Sequence, residues 1–132
     1  MVLSQYDVAL LTHLFNLDLL DGFLYSDLMK LLHDCEGRAV RLTDERLKHI
    51  LDHPEMQQMT SAISETLTHP ERVIQSRSDL GARLYYRFYI ETRVGDKYLC
   101  VVVKIKQQDA FVLTAYLTDT IKKGDVVWPR RS

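Results

Sequence analysis

At Pro70 the spacing of the apolar residues changes from the period of a helix to that of a strand, and that switch constrains the fold more than any other feature of the chain. Upstream, Met56, Met59, Ile63 and Leu67 recur at three- and four-residue intervals, so they share one face of a helix. Downstream, alternation predicts four strands, Arg72 to Ser76, Arg83 to Thr92, Lys97 to Lys106 and Ala110 to Leu117. Turn sequences separate them at Ser78-Asp79-Leu80-Gly81, Gly95-Asp96 and Gln107-Gln108-Asp109, and connections this short make neighbouring strands antiparallel. Val126-Val127-Trp128, closed by Pro129, adds a fifth strand at an edge.

Ahead of the sheet, Val8, Leu11, Leu14 and Leu19 and then Phe23, Leu24, Leu28, Leu31 and Leu32 keep helical spacing. Two helices broken near Asp21-Gly22 are expected, the second ending at Cys35-Glu36-Gly37 with Gly37 as a left-handed cap. Residues 38–42 read as extended. Thr43 is a good N-cap, Asp44 and Glu45 place negative charge on a first turn, and the helix they open runs to Asp52. Pro54 stops it at His53 and begins the next. The expected fold is α+β: N-terminal helices packed on one face of a four-stranded, or with the edge strand five-stranded, antiparallel β-sheet.

A chain of 132 residues, 46% hydrophobic, buries one core, so residues 1–132 are read as a single domain. Residues 1–37 form its leucine-rich helical extension and residues 38–132 its helix-helix-sheet core. The extension must cover its leucines against the rest of the domain or against a second copy, which makes a homodimer through residues 1–37 an expectation. No apolar run approaches the roughly 18–20 residues that cross a bilayer, and Met1 to Asp7 lacks the basic and apolar parts of a leader. No membrane association and a cytoplasmic location are expected. Cys35 and Cys100 lack metal-ligand spacing and are read as free thiols of a reducing compartment.

The net charge of −1 conceals an asymmetry: residues 1–70 carry a balance of −6 and residues 71–132 a balance of +5. A basic half attracts polyanions even on a nearly neutral molecule, although the acidic half can also neutralise it internally. Splitting each strand by alternation gives a core face of Leu84, Tyr86, Phe88 and Ile90, of Leu99, Val101, Val103 and Ile105, and of Phe111, Leu113, Ala115 and Leu117. The opposite face then collects Arg83, Tyr85, Arg87 and Tyr89, then Tyr98, Cys100, Val102, Lys104 and Lys106, then Val112, Thr114 and Tyr116. Arginine and lysine hold phosphates and tyrosine rings offer surfaces for unstacked bases, so RNA is the expected partner. The same residues also suit a merely solvated sheet face.

His49 and His53 lie four apart and share a helix face if His53 is still helical. The run His49-Ile50-Leu51-Asp52-His53 lacks the glutamate of the zinc-protease motif, and no third ligand is evident, so no metal is expected. An imidazole acting as general acid or base suits these residues as well as packing near a helix end does. There is no phosphate loop, GxGxxG, GxSxG or CxxC, which disfavours nucleotide hydrolysis and redox chemistry, and no cofactor is expected.

The run from Thr43 to Glu55 and the segment Thr66-Leu67-Thr68-His69-Pro70-Glu71-Arg72-Val73 resemble small phage- and toxin-associated proteins of the Barnase, EndoU, colicin and RelE-like nuclease fold. Leu84-Tyr85-Tyr86-Arg87, Val101-Val102-Val103-Lys104 and Val112-Leu113-Thr114-Ala115-Tyr116 extend the resemblance, which covers residues 40–120. It implies metal-independent RNA cleavage, with a base activating the ribose 2′-hydroxyl and cations stabilising the pentacoordinate phosphate. On this chain it would make His49 or His53 the acid or base and Arg87 and Lys104 the phosphate stabilisers. Thr114 and Tyr116 would bond or stack. The alternation of the strands, apart from the resemblance, makes Arg83, Tyr85 and Tyr89 of the same face the candidates for binding substrate beside them. A protein inhibitor is the further partner implied. Two other readings stand beside it: a non-catalytic module binding RNA or protein through the same face, and a homo-oligomeric interaction protein working through its N-terminal leucines.

Overall fold

In a computed structural model of the chain, residues 29–130 are described. The helices expected before Met29, and most of the surface expected to form a dimer, lie outside them. The described chain runs β1 (Met29–His33), β2 (Ala39–Thr43), α1 (Asp44–Leu51), a 3-10 turn (Pro54–Met56), α2 (Thr60–Thr68), β3 (Arg72–Gln75), β4 (Ala82–Thr92), β5 (Gly95–Lys106), β6 (Asp109–Thr118) and β7 (Asp125–Trp128). The class is α+β, with one seven-stranded sheet in the order β1-β2-β6-β5-β4-β3-β7. It exceeds the four or five antiparallel strands expected, and it is mixed, because β2 runs parallel to β6.

The extra strands are β1, from residues expected to be helical, and β2, from the stretch expected to be extended but not counted in the sheet. Met29–His33 pairs antiparallel with Ala39–Thr43 as a hairpin. The deciding chemistry is at its turn, where the Asp34 carboxylate accepts hydrogen bonds from the Glu36 and Arg38 amides at 2.9 and 2.8 Å. Gly37, at φ +82°, does take the left-handed conformation, but it closes a hairpin and not a helix. Downstream of this the helix signals hold. Thr43 Oγ1 accepts from the Arg46 amide at 3.1 Å, and α1 buries Leu47 and Ile50. The 3-10 turn begun by Pro54 fully buries Met56, and α2 buries Ala62, Ile63, Thr66 and Leu67.

Both helices pack on one face of the sheet, against a core that includes Leu42, Val73, Tyr85, Leu99, Val101 and Val103. The other face carries a smaller cluster of Ile74, Leu84, Tyr86 and Cys100. Residues 119–124 cross this face as a strap between β6 and the far edge, where β7 pairs with β3. Ile121 of the strap packs on the small cluster, and the Lys122 amide donates to Tyr86 Oη at 3.1 Å.

Two register shifts correct the faces expected from alternation. Thr92 pairs with Gly95 across the β4–β5 turn, and an uninterrupted ladder from there would set Tyr86 opposite Val101. A bulge between Tyr89 and Thr92, with Glu91 at φ +57°, moves the register by one, so Tyr85 faces Val101 and Tyr86 faces Cys100. Since side chains alternate, that one residue turns all of β4 over. Arg83, Tyr85, Arg87 and Tyr89 therefore belong to the helix-covered face, and Leu84, Tyr86 and Phe88 to the open one. A second shift in β6 pairs Val102 with Thr114 but Val103 with Val112. Val112 is consequently buried in the main core, while Phe111 lies opposite Lys104 on the open side.

Candidate nucleic-acid interface

The open face gathers Lys104, Thr114 and Tyr116 from the residues expected to act on substrate. Val102 and Cys100 of β5 stand opposite Thr114 and Tyr116 of β6, and Lys104 follows on the same side of β5. Val102, Thr114 and Tyr116 border a pocket of about 430 Å3 at the end of the sheet where β3 turns into β4, lined also by Ser76, Arg77, Ser78, Asp79, Lys122 and Lys123, and Lys104 reaches it through its ion pair with Asp79. That volume falls in the range of ordinary ligand sites. Ser76 is nearly buried, and its Oγ lies 3.3 Å from Ser78 Oγ and accepts from the Asp79 amide at 3.1 Å.

Charge in this pocket is uneven. Its one carboxylate, Asp79, is bound by Lys104 Nζ at 2.8 and 2.7 Å, and this pairing, together with the hydrogen bond from the Gly81 amide, holds its pKa below the usual value. Arg77, Lys122 and Lys123 line the pocket and form no ion pair among the described residues, so no described carboxylate cancels their charge. Burial, followed by the nearby Cys100 thiol, pushes the Tyr116 pKa upward, which keeps its phenol protonated at neutral pH. Burial likewise lifts Tyr86 to about 12 and Cys100 to about 11. Three cations and several neutral hydroxyls make a site suited to an oxyanion.

The remaining expected residues lie elsewhere. Arg87 is on the helix-covered face, where Nη1 donates to the His69 carbonyl at 2.8 Å and Nε lies 3.8 Å from Glu65, so it holds the C-terminal end of α2. Tyr89 Oη donates to Glu65 Oε1 at 2.7 Å beside it. Tyr85 is buried, donating to Asp34 Oδ2 at 2.6 Å, and Arg83 Nη1 reaches Glu36 at 3.5 Å. His49 and His53 are exposed at and beyond the end of α1, on the helix side of the sheet, away from the open-face pocket. Arg77, Lys122 and Lys123 did not stand out in the strand pattern because they sit in connections. The Lys122-Lys123-Gly124 run in the basic half was the signal for the two lysines, and Arg77 had none beyond that half's charge.

No group of three His, Cys, Asp or Glu side chains placed to hold a metal ion occurs among the described residues. None of the described helices is long and apolar enough to cross a membrane. A larger pocket of about 490 Å3 between β1 and α2, lined by Leu32, Leu42, Gln58 and Ser64, has Lys30 as its one charged lining residue and offers little chemistry. In comparisons with known proteins, the family model described as phage-Barnase-EndoU-ColicinE5/D-RelE like nuclease2 matches residues 15–128. No curated protein and no solved structure matches the chain.

Proposed function

The chain belongs to the phage-Barnase-EndoU-ColicinE5/D-RelE like nuclease2 family, and from that premise we propose that it cleaves RNA in the open-face pocket. The observation that carries this reading is the trio Arg77, Lys122 and Lys123, uncancelled among the described residues, around the hydroxyls of Thr114 and Tyr116. A phosphodiester in the pocket meets positive charge on several sides, and that charge gains in value as the phosphorus becomes pentacoordinate. The ribose 2′-oxygen attacks the adjacent phosphorus, giving up its proton, and the 5′-oxygen leaves, taking one. Asp79 is the carboxylate among the described lining residues that takes the first proton and the Tyr116 phenol the hydroxyl that supplies the second, although the Lys104 ion pair lowers the basicity of the one and burial the acidity of the other.

A non-catalytic RNA-binding module is the second reading, favoured by the placement of His49 and His53 outside this pocket. Incubation of total RNA and of single-stranded DNA with purified protein in EDTA separates the two. RNA fragments are expected from the wild type and from His49→Ala, and none from the Lys122→Ala/Lys123→Ala double variant with unchanged circular dichroism. Retention of RNA without fragments would leave the binding module, and cleavage lost in His49→Ala but kept in the double variant would move the site to the helix side.

A further inference from the structure

On the helix-side face, directly behind the open-face pocket, lies a smaller one of about 140 Å3 lined by Arg38, Gln75, Leu80, Gly81, Arg83 and Ile105. Consecutive residues of β4 serve the two: Leu84 borders the first and Arg83 the second. The loop between β3 and β4 is the rim between them, contributing Arg77, Ser78 and Asp79 to one side and Leu80 and Gly81 to the other.

The charges beside the smaller pocket do not balance. Glu36 alone meets three guanidiniums, Arg130 at 2.8 Å, Arg83 at 3.5 Å and Arg38 at 3.6 Å. Asp34 takes only Arg38 among them, at 2.6 Å. Each guanidinium carries five N–H donors, so two carboxylates leave much of this donor capacity unused. Arg83 in particular has only a long approach to Glu36. At about 30 Å3 of liquid volume per water, the pocket holds four or five waters, a space that a tetrahedral oxyanion can enter.

We propose that Arg38, Arg83 and Arg130 form a second phosphate subsite, which takes a backbone phosphate of the same RNA strand whose neighbouring phosphate lies in the open-face pocket. This rests on the RNA-cleaving reading above. The strand passes over the rim formed by residues 77–81, where Leu80, 81% exposed, offers an apolar surface to a base. Such a path selects single strands. A duplex is stiff over about 50 nm and does not turn round a rim one strand thick, whereas an unpaired strand does.

The test is equilibrium binding of 2′-O-methyl oligouridylates, which cannot be cleaved through the 2′-hydroxyl, of two and of eight nucleotides at several salt concentrations. Arg83→Gln and Arg130→Gln are expected to weaken the octamer several-fold and to lower its salt slope by about 0.7 for each phosphate left without its guanidinium, leaving the dinucleotide unchanged. The Arg130 side chain is 74% exposed, so its variant does not depend on refolding of the core. Glu36→Gln frees Arg83 and Arg130 of their carboxylate while Arg38 stays on Asp34, and should tighten the octamer, an effect that a purely structural role would not produce. Unchanged octamer binding in both arginine variants, or weaker binding in Glu36→Gln, overturns the subsite while wild-type cleavage of total RNA still upholds the nuclease reading. Absence of both cleavage and RNA retention in the wild type overturns both.

Discussion

Replacing Tyr85 with phenylalanine tests how the buried carboxylate of Asp34 is held. Asp34 is 4% exposed and receives four hydrogen bonds, from Tyr85 Oη and Arg38 Nη1 at 2.6 Å each and from the Glu36 and Arg38 amides at 2.9 and 2.8 Å. Burial alone would raise its pKa. The hydrogen bonds, that of Tyr85 foremost, outweigh burial and set it below the usual value. Phenylalanine keeps the ring and its packing, so the change deletes one donor to a charged acceptor without opening a large cavity. Such a bond contributes about 1.5–3 kcal/mol, and with three donors left we expect a loss of about 2 kcal/mol at pH 7, about 30-fold in the unfolding equilibrium. A carboxyl with a lowered folded-state pKa stabilises the fold above its unfolded value of about 3.9 and loses that contribution as the pH falls through the folded value. Urea unfolding of both proteins between pH 7 and pH 3 should therefore show a gap that is full near neutrality and narrows below about pH 4. A gap under about 0.5 kcal/mol at pH 7, or one that does not change with pH, would refute this account of Asp34.

Three further outcomes follow from local geometry. Thr43→Ala removes the N-cap of α1 and should cost about 1 kcal/mol in urea unfolding, with Thr43→Ser largely restoring it. Gly124→Ala would put a Cβ 2.6 Å from the Gln75 carbonyl oxygen and Ile74 Cγ2, so the strap must shift; a loss of about 1–3 kcal/mol and weaker RNA retention are expected, and an unchanged variant would mean that the strap does not position Lys122 and Lys123. Burial raises both cysteine pKa values to about 11, leaving about a thousandth of each thiol ionised at pH 8. Iodoacetamide should label Cys35 and Cys100 slowly in native protein and rapidly in urea, as read by mass spectrometry.

The helix and strand signals after residue 38 were legible because each rests on chemistry within a few residues. Thr43 caps, Pro54 stops and restarts a helix, and alternation marks β3 to β7. The hairpin of β1 and β2 was missed because Leu28, Leu31 and Leu32 fit helical spacing, while the competing signal was the side chain of Asp34 binding its own turn. The face of β4 was illegible for a different reason. Alternation carries parity along a strand only while the ladder is unbroken, and the bulge at Glu91 has no glycine to announce it. Tyr85 and Tyr86 are both buried, so a tyrosine on β4 does not by itself tell the covered face from the open one. Lys104, Thr114 and Tyr116 could be grouped from β5 and β6 alone; Arg77, Lys122 and Lys123 could not, because pattern analysis of strands is silent about connections that fold back across a sheet.

The strap also orders the making of the pocket in time. Lys122 and Lys123 follow every strand that frames the pocket, and they come to rest only when Ile121 covers its cluster and β7 zips onto β3. A nascent chain that has emerged only as far as β6 carries the floor of the pocket without two of its three uncancelled cations. The anion site is thus completed only by the last strand to be synthesised, and any event that unseats β7 would disarm the pocket while leaving most of the helix-side core packed.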